Sequence, residues 1–138
     1  MSNIIIPFRA NMADAPSFAN TYSLDFDGVN DYIDLSSSSG LGFTGDFTLS
    51  AWVKTSAIGT DQFIIDNTNN PSNGSGYSLR FLTTGKIRFW SYLTTGLIDS
   101  TTTLLPNTWY HIAATTNGTT FINNIYINGV LDVSGASG

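Results

Sequence analysis

The chain contains no cysteine and no glutamate, and both absences limit what it can do. Without cysteine there is no disulfide framework, no thiolate metal site and no cysteine nucleophile. All ten acidic residues are aspartates, so any carboxylate chemistry has to come from the shorter of the two acidic side chains. Function classes that depend on thiol chemistry are therefore excluded.

Charge is also scarce. Charged residues make up 11% of the sequence, against about 25% in an average soluble protein. Only five residues are basic and the formal net charge is −5, so a footprint on a phosphate backbone or on an anionic lipid surface is not expected. The sequence predicts neither a nucleic-acid partner nor a membrane partner.

Long apolar runs are missing as well. The run 4–6 is too short for the core of a signal peptide and no basic residue precedes it, and no other run reaches transmembrane length. We expect synthesis in the cytoplasm without a signal peptide, and a final place on a virion or an extracellular surface assembly. The 138 residues suffice for one domain, with residues 1–20 predicted as an N-terminal arm and 21–138 as the domain.

From Tyr22 onward the apolar residues recur with a period of two, which is typical of half-buried strands. The Asn117-Gly118 and Asn128-Gly129 pairs are strong hairpin signals. No segment shows a helical stripe. Many short strands separated by turn residues predict an all-β antiparallel sandwich or jelly roll. The predicted strands lie at 22–26, 32–35, 47–53, 62–66, 77–81, 87–89, 97–105 and 109–116.

Four ordered blocks carry a family resemblance. They are Leu24-Asp-Phe-Asp-Gly-Val-Asn-Asp-Tyr32, Phe47-Thr-Leu-Ser-Ala-Trp-Val53, Trp109-Tyr-His-Ile-Ala113 and Ile125-Tyr-Ile-Asn-Gly129. In this order they resemble the laminin-G-like, concanavalin A-like jelly-roll superfamily over about residues 22–131. The resemblance implies two curved antiparallel sheets packed face to face. It also implies further C-terminal strands, so the sequence is expected to be C-terminally incomplete or completed by another chain.

Relatives suggested by this resemblance include glycoside hydrolases that use a pair of acidic residues, usually glutamates. That motif cannot occur here. Asp25 and Asp27 are two residues apart, but they fall in a turn block where structural roles are usual. His111 is the only histidine, and no Gly-x-Ser-x-Gly nucleophile elbow accompanies it. We predict no catalytic residues and no enzyme activity.

A metal site has one candidate. Asp27, Asn30 and Asp31 place hard oxygen donors within five residues, which suits calcium. The competing interpretation is that these side chains hydrogen-bond the backbone of their own turn. The sequence indicates no other cofactor.

A ligand-binding face is predicted on the strands at 77–81 and 87 onward. If the two strands pair, Arg80, Arg88, Trp90 and Tyr92 share one surface. Aromatic rings stack on sugars and guanidinium groups donate paired hydrogen bonds. Alternatively, a loop or a neighbouring subunit covers this face.

The leading functional hypothesis is a non-enzymatic structural or interaction module on an assembled surface. Such a module would be a virion decoration, capsid-associated or fibre protein, and it would bind copies of itself or neighbouring subunits. The alternative is a carbohydrate-binding lectin that recognises glycans. A glycoside hydrolase is disfavoured, because the paired glutamates are absent.

Overall fold

The computed structural model describes residues 22–35, 41–68, 76–94 and 96–136. The chain divides into two compact units, 1–35 and 36–138. Among the described residues the second unit has eight strands and one 3₁₀ turn, at Tyr92–Thr94, and no helix there is long and apolar enough to cross a membrane. The strands are β1 Phe47–Val53, β2 Gln62–Asn67, β3 Tyr77–Phe81, β4 Ile87–Ser91, β5 Gly96–Asp99, β6 Tyr110–Asn117, β7 Ile122–Ile127 and β8 Val130–Ala136.

The strands form two antiparallel sheets of four strands each. The first has the order β1-β6-β7-β8 and the second the order β2-β3-β4-β5. The second sheet is therefore a simple meander, whereas β1 joins the first sheet beside a strand that lies more than fifty residues later. This arrangement confirms the predicted all-β, concanavalin A-like sandwich.

The core lies between the sheets, because the apolar residues of both are on their facing sides. On β1, Leu49 is buried, Phe47 and Val53 pack against the core, and the alternate positions 48, 50 and 52 are exposed, as the period of two predicts. The buried cluster contains Leu49, Ile112, Ala114, Ile125 and Ile127 from the first sheet, Tyr77, Leu79, Phe81, Ile87, Phe89 and Ile98 from the second, and Leu104.

The Asn128-Gly129 hairpin is confirmed. The two residues link β7 to β8 with φ values of 52° and 79°, both in the left-handed region that a two-residue type I′ turn needs. Asn117-Gly118 also lies in a hairpin connection, but this one has four residues between β6 and β7. The Asn117 carboxamide accepts the backbone N–H groups of Thr119 and Thr120, which stabilises the longer loop.

Two strand predictions at the start of the domain are wrong. Residues 22–35 contain no strand, and seven of their apolar side chains are exposed. Alternation identifies the face that a strand would bury, but a strand also needs a neighbour for its backbone hydrogen bonds, and no strand pairing in the described residues includes this segment. The exposed side chains are Tyr22, Leu24, Phe26, Val29, Tyr32, Ile33 and Leu35.

The strand predicted over 97–105 is shorter than expected. It is β5, an edge strand of the second sheet, and it ends at Asp99. The buried Ser100 hydroxyl accepts the N–H of Ile87 and donates to the carbonyl of Thr102, so the chain turns there. Asp132 of β8 then accepts the N–H groups of Thr101 and Thr102 at 2.6 and 3.1 Å, which ties the first sheet to the segment that leaves the second.

Candidate functional site

The predicted ligand-binding residues Arg80, Arg88 and Trp90 lie on the outer side of the second sheet. In the β3–β4 register, Arg80 is opposite Arg88 and Ser78 is opposite Trp90. Directly opposed residues of an antiparallel pair point to the same side of the sheet, as do residues two apart on one strand. The three side chains therefore share a face, and their role in ligand binding stays a prediction.

Both arginines on this face already have partners. The Arg88 guanidinium donates to Asp99 through Nε at 2.6 Å and Nη2 at 2.8 Å. This bond lowers the pKa of Asp99 and raises that of Arg88, with burial opposing both shifts. Arg80 lies 3.7 Å from a carboxylate oxygen of Asp61, with its guanidinium carbon 5.7 Å from the centre of the Phe63 ring. Each arginine is thus held by an aspartate, while the buried Nε of Arg80 has no hydrogen-bond partner among the described residues.

The aromatic residues of the predicted face are separated by the end of the strand. Trp90 is half-buried, and its ring lies so close to Gly76 that a Cβ there would be 3.3 Å from the indole. β4 ends at Ser91 and Tyr92 begins the 3₁₀ turn, so strand alternation does not place Tyr92 beside Trp90. The structure brings Arg80, Arg88 and Trp90 together and leaves Tyr92 outside the pattern.

The predicted calcium ligands form a turn that is held by its own carboxylates. Asp31 accepts the backbone N–H of Asp27 at 2.8 Å, and Asp27 accepts that of Val29 at 2.8 Å. Asn30 lies between them in the same turn. Within the described ranges no group of three His, Cys, Asp or Glu side chains could hold a metal ion. Calcium binding through Asp27, Asn30 and Asp31 stays a prediction.

The residues considered for catalysis are also placed. Asp25 and Asp27 lie in the segment 22–35, where no strand forms. The His111 ring lies 5.4 Å from the Trp52 ring, centre to centre, on the outer side of the first sheet. The only histidine is thus packed beside an indole.

A second group of side chains forms an aromatic surface on the outer side of the first sheet. It consists of Trp52, Lys54, Trp109 and His111, here called the Trp52 surface. Trp52 is opposite His111 in the β1–β6 register, and the Lys54 ammonium lies 5.3 Å from the centre of the Trp109 ring. Trp52 is 65% and Trp109 45% exposed. Indole area of this kind, beside donors, is suited to stacking on a ligand ring.

The sequence indicates the two residue pairs that form the Trp52 surface but not that the pairs lie together. Trp52 and Lys54 occupy the polar side of the strand at 46–54, and Trp109 and His111 are two residues apart. What the pattern lacks is the pairing of two strands that lie more than fifty residues apart. That pairing would have brought the four residues together, since both pairs alternate onto the same side.

The outer side of the first sheet also differs in charge from the rest of the chain. The chain has twice as many acidic as basic residues, yet the outward positions from Thr48 to Lys54 and those on β6 and β7 include no aspartate; Asp46 precedes β1 at the end away from Lys54. These positions are Thr48, Ser50, Trp52, Lys54, Trp109, His111, Ala113, Thr115, Asn124 and Tyr126. Among these positions the formal charge comes from Lys54.

Comparison with known proteins supplies the family. A laminin-G family model of the concanavalin A-like lectin/glucanases superfamily matches residues 27–138. The chain belongs to this superfamily. A search of the curated proteins finds no match.

Two solved structures are similar to this chain. One is a candidate carbohydrate-binding protein from Bacteroides ovatus, which is 22% identical with a TM-score of 0.56 over 70% of this chain. The other is the native heptameric SAP-like pentraxin from Limulus polyphemus, 15% identical with a TM-score of 0.48 over 67% of the chain. The chain spans 27% of the length of the first protein and 44% of the second. At these identities the likeness concerns the fold.

Proposed function

We propose that this member of the superfamily is a non-enzymatic glycan-binding module and that the Trp52 surface is its binding site. One observation carries the proposal: an indole that is 65% exposed lies beside a histidine ring, with a lysine two residues further along the strand. Sugar rings present C–H faces that stack on indoles, and their hydroxyls pair with nearby donors and acceptors. Membership of a lectin-containing superfamily supports this class of function.

The Trp52 surface is a better site than the predicted face around Arg80. On the second sheet each arginine is engaged by an aspartate, and Trp90 packs against Gly76. A ligand that displaced these ion pairs would leave a carboxylate without its partner, which is costly. On the first sheet the largest exposed ring belongs to Trp52, and its neighbours Lys54 and His111 are not bound to carboxylates in the described part of the chain.

A glycan array followed by titration calorimetry tests the proposal. Trp52→Ala removes the stacking ring and should weaken binding roughly tenfold or more, as loss of a central aromatic contact does. Thr48→Ala lies on the same face of the same strand and is the matched control, which should bind as the wild type does. Trp90→Ala tests the other face.

The outcomes separate the two faces. Loss of binding in Trp52→Ala, with Trp90→Ala unchanged, supports the Trp52 surface. The reverse result would move the site to the second sheet and support the face predicted from sequence. An array without any specific ligand would remove the lectin proposal.

The absence of catalysis is part of the same proposal. The sequence has no glutamate, and the only histidine packs beside Trp52. The Asp27 carboxylate accepts a hydrogen bond within its own turn. Prolonged incubation with a bound oligosaccharide should therefore release no shorter product, as measured by mass spectrometry.

A role on an assembled surface is the second candidate function, and residues 22–35 favour it. Seven of their apolar side chains are exposed, and exposed apolar area of this extent is typical of a surface that meets a partner. Homo-oligomers or contacts with neighbouring subunits would cover it. Light scattering tests this by comparing the full chain with a Val29→Ser, Tyr32→Ser double variant, since both side chains are at least 80% exposed. If the full chain and the double variant are both monomeric, the assembly role is contradicted. Its virion setting is supported by composition alone.

A further inference from the structure

We infer that the Trp52 surface prefers pyranose rings that carry a carboxylate, such as the uronic acids of acidic polysaccharides. The inference rests on the proposed glycan-binding function and specifies its ligand class. Its basis is the position and the electrostatic surroundings of Lys54.

Lys54 lies where it can reach a substituent of a ring stacked on Trp52. The two residues alternate onto the same side of their strand, and two residues of a strand span about 7 Å. A lysine side chain is longer than half that distance. The Lys54 ammonium, 5.3 Å from the centre of the Trp109 ring, would meet the exocyclic group of a pyranose that stacks on Trp52 and extends toward Trp109.

Lys54 also forms no ion pair with a carboxylate among the described residues. Among the residues that the structure describes, both ion pairs are formed by arginines of the second sheet, Arg80 with Asp61 and Arg88 with Asp99. The described contact of the Lys54 ammonium is with the Trp109 ring. A cation–π contact holds the ammonium in place but does not neutralise it. Trp109 is thus a positioning residue for Lys54.

The residues around Lys54 also favour an anionic ligand. The outward positions around Lys54 on β1, β6 and β7 include no aspartate, although the whole chain has a net charge of −5. An acidic sugar stacked on Trp52 would therefore meet the Lys54 ammonium without a neighbouring aspartate on these strands. A neutral sugar would gain the stacking on Trp52 but not the charge-assisted hydrogen bond to Lys54.

The test compares two trisaccharides that differ in the exocyclic carbon, trigalacturonic acid and its neutral counterpart galactotriose. Titration calorimetry is done on the full chain in low salt with EDTA, which excludes a contribution from calcium. The wild type should bind the acidic sugar about three- to tenfold more tightly. The preference should shrink as salt is raised, because the ion pair is exposed.

Four variants identify the residue responsible. Lys54→Gln should bring the affinity for trigalacturonic acid down to that for galactotriose, and Lys54→Arg should restore the preference. Lys86→Gln removes the same charge from the second sheet and is the control for net charge, so it should keep the preference. Trp52→Ala should weaken both sugars.

The results distinguish this inference from the proposal on which it rests. Equal affinity of the wild type for the two sugars would overturn the acidic preference and leave glycan binding intact. A preference that persists in Lys54→Gln would overturn the assignment to Lys54. Binding of neither trisaccharide, together with a blank array, would overturn both proposals.

Discussion

Truncation of one core leucine tests whether the two sides of the second sheet are correctly assigned. Leu79 on β3 and Leu97 on β5 belong to this sheet and are replaced by alanine in the same way. Leu79 is 0% exposed and part of the buried cluster, whereas Leu97 is 51% exposed on the outer side. The chemical change is identical, so a difference in stability measures only the environment.

The structure sets the expected magnitudes. Leu79→Ala should lower the free energy of unfolding by about 2–5 kcal/mol, because the lost transfer energy is increased by the cavity left between the sheets. Leu97 is already half in water, so its truncation loses about half of the roughly 2 kcal/mol transfer term and leaves no cavity. We expect about 1 kcal/mol or less.

Thermal unfolding followed by circular dichroism measures the difference. At roughly 4 °C per kcal/mol for a domain of this size, Leu79→Ala should lower Tm by about 12 °C and Leu97→Ala by about 4 °C or less. Urea unfolding gives the free energies directly if the transition is reversible. Equal losses in the two variants would refute the assignment of faces, since a register error by one residue exchanges the two sides of a strand.

Three further predictions concern the turns and ties of the fold. Burial pushes the pKa of Asp132 up, but hydrogen bonds from the 101–102 segment outweigh burial and hold the pKa below its ordinary value. The stabilisation from these bonds is therefore present above about pH 4 and is lost as pH falls through the folded pKa. Asp132→Asn should lower Tm at pH 7 and much less at pH 3. Gly129→Ala should lower the free energy of unfolding in urea by about 1–2 kcal/mol, because the φ of Gly129 is +79°. Gly42 also lies in open space but without a positive φ, so Gly42→Ala should be neutral. Equal costs of the two substitutions would contradict the turn geometry. EDTA should change Tm little, because Asp27 and Asp31 already accept backbone N–H groups, and a large drop reversed by calcium would show a site there.

Strand positions in the second unit could be predicted because side-chain alternation is a local property. The alternation at 47–53 and at 77–81 matches the observed strands residue for residue. The same argument failed at 22–35, where the alternation is as clear but no neighbouring strand pairs with the segment. A sequence pattern gives the face of a strand and not the presence of its partner.

For the candidate site, too, local features could be predicted from the sequence and long-range contacts could not. Arg80, Arg88 and Trp90 were predicted to share a face because their strands are joined by a short turn, and the β3–β4 register places them together. The aspartate partners of the two arginines were not predicted, since Asp61 and Asp99 lie on other strands or loops. The Trp52 surface was missed because it needs the pairing of β1 with β6, and long-range pairing leaves no mark in a single sequence.

The two outer faces also differ in how binding can be separated from stability. On the second sheet, removing Arg88 would leave Asp99 half-buried and unpaired, so a loss of ligand could reflect damage to the fold. On the first sheet, Trp52 is 65% exposed and Lys54 has no carboxylate partner among the described residues, so neither substitution creates a buried cavity or an unpaired charge. Variants of the Trp52 surface should therefore unfold at nearly the wild-type temperature, and any loss of glycan binding in them can be assigned to the contact itself.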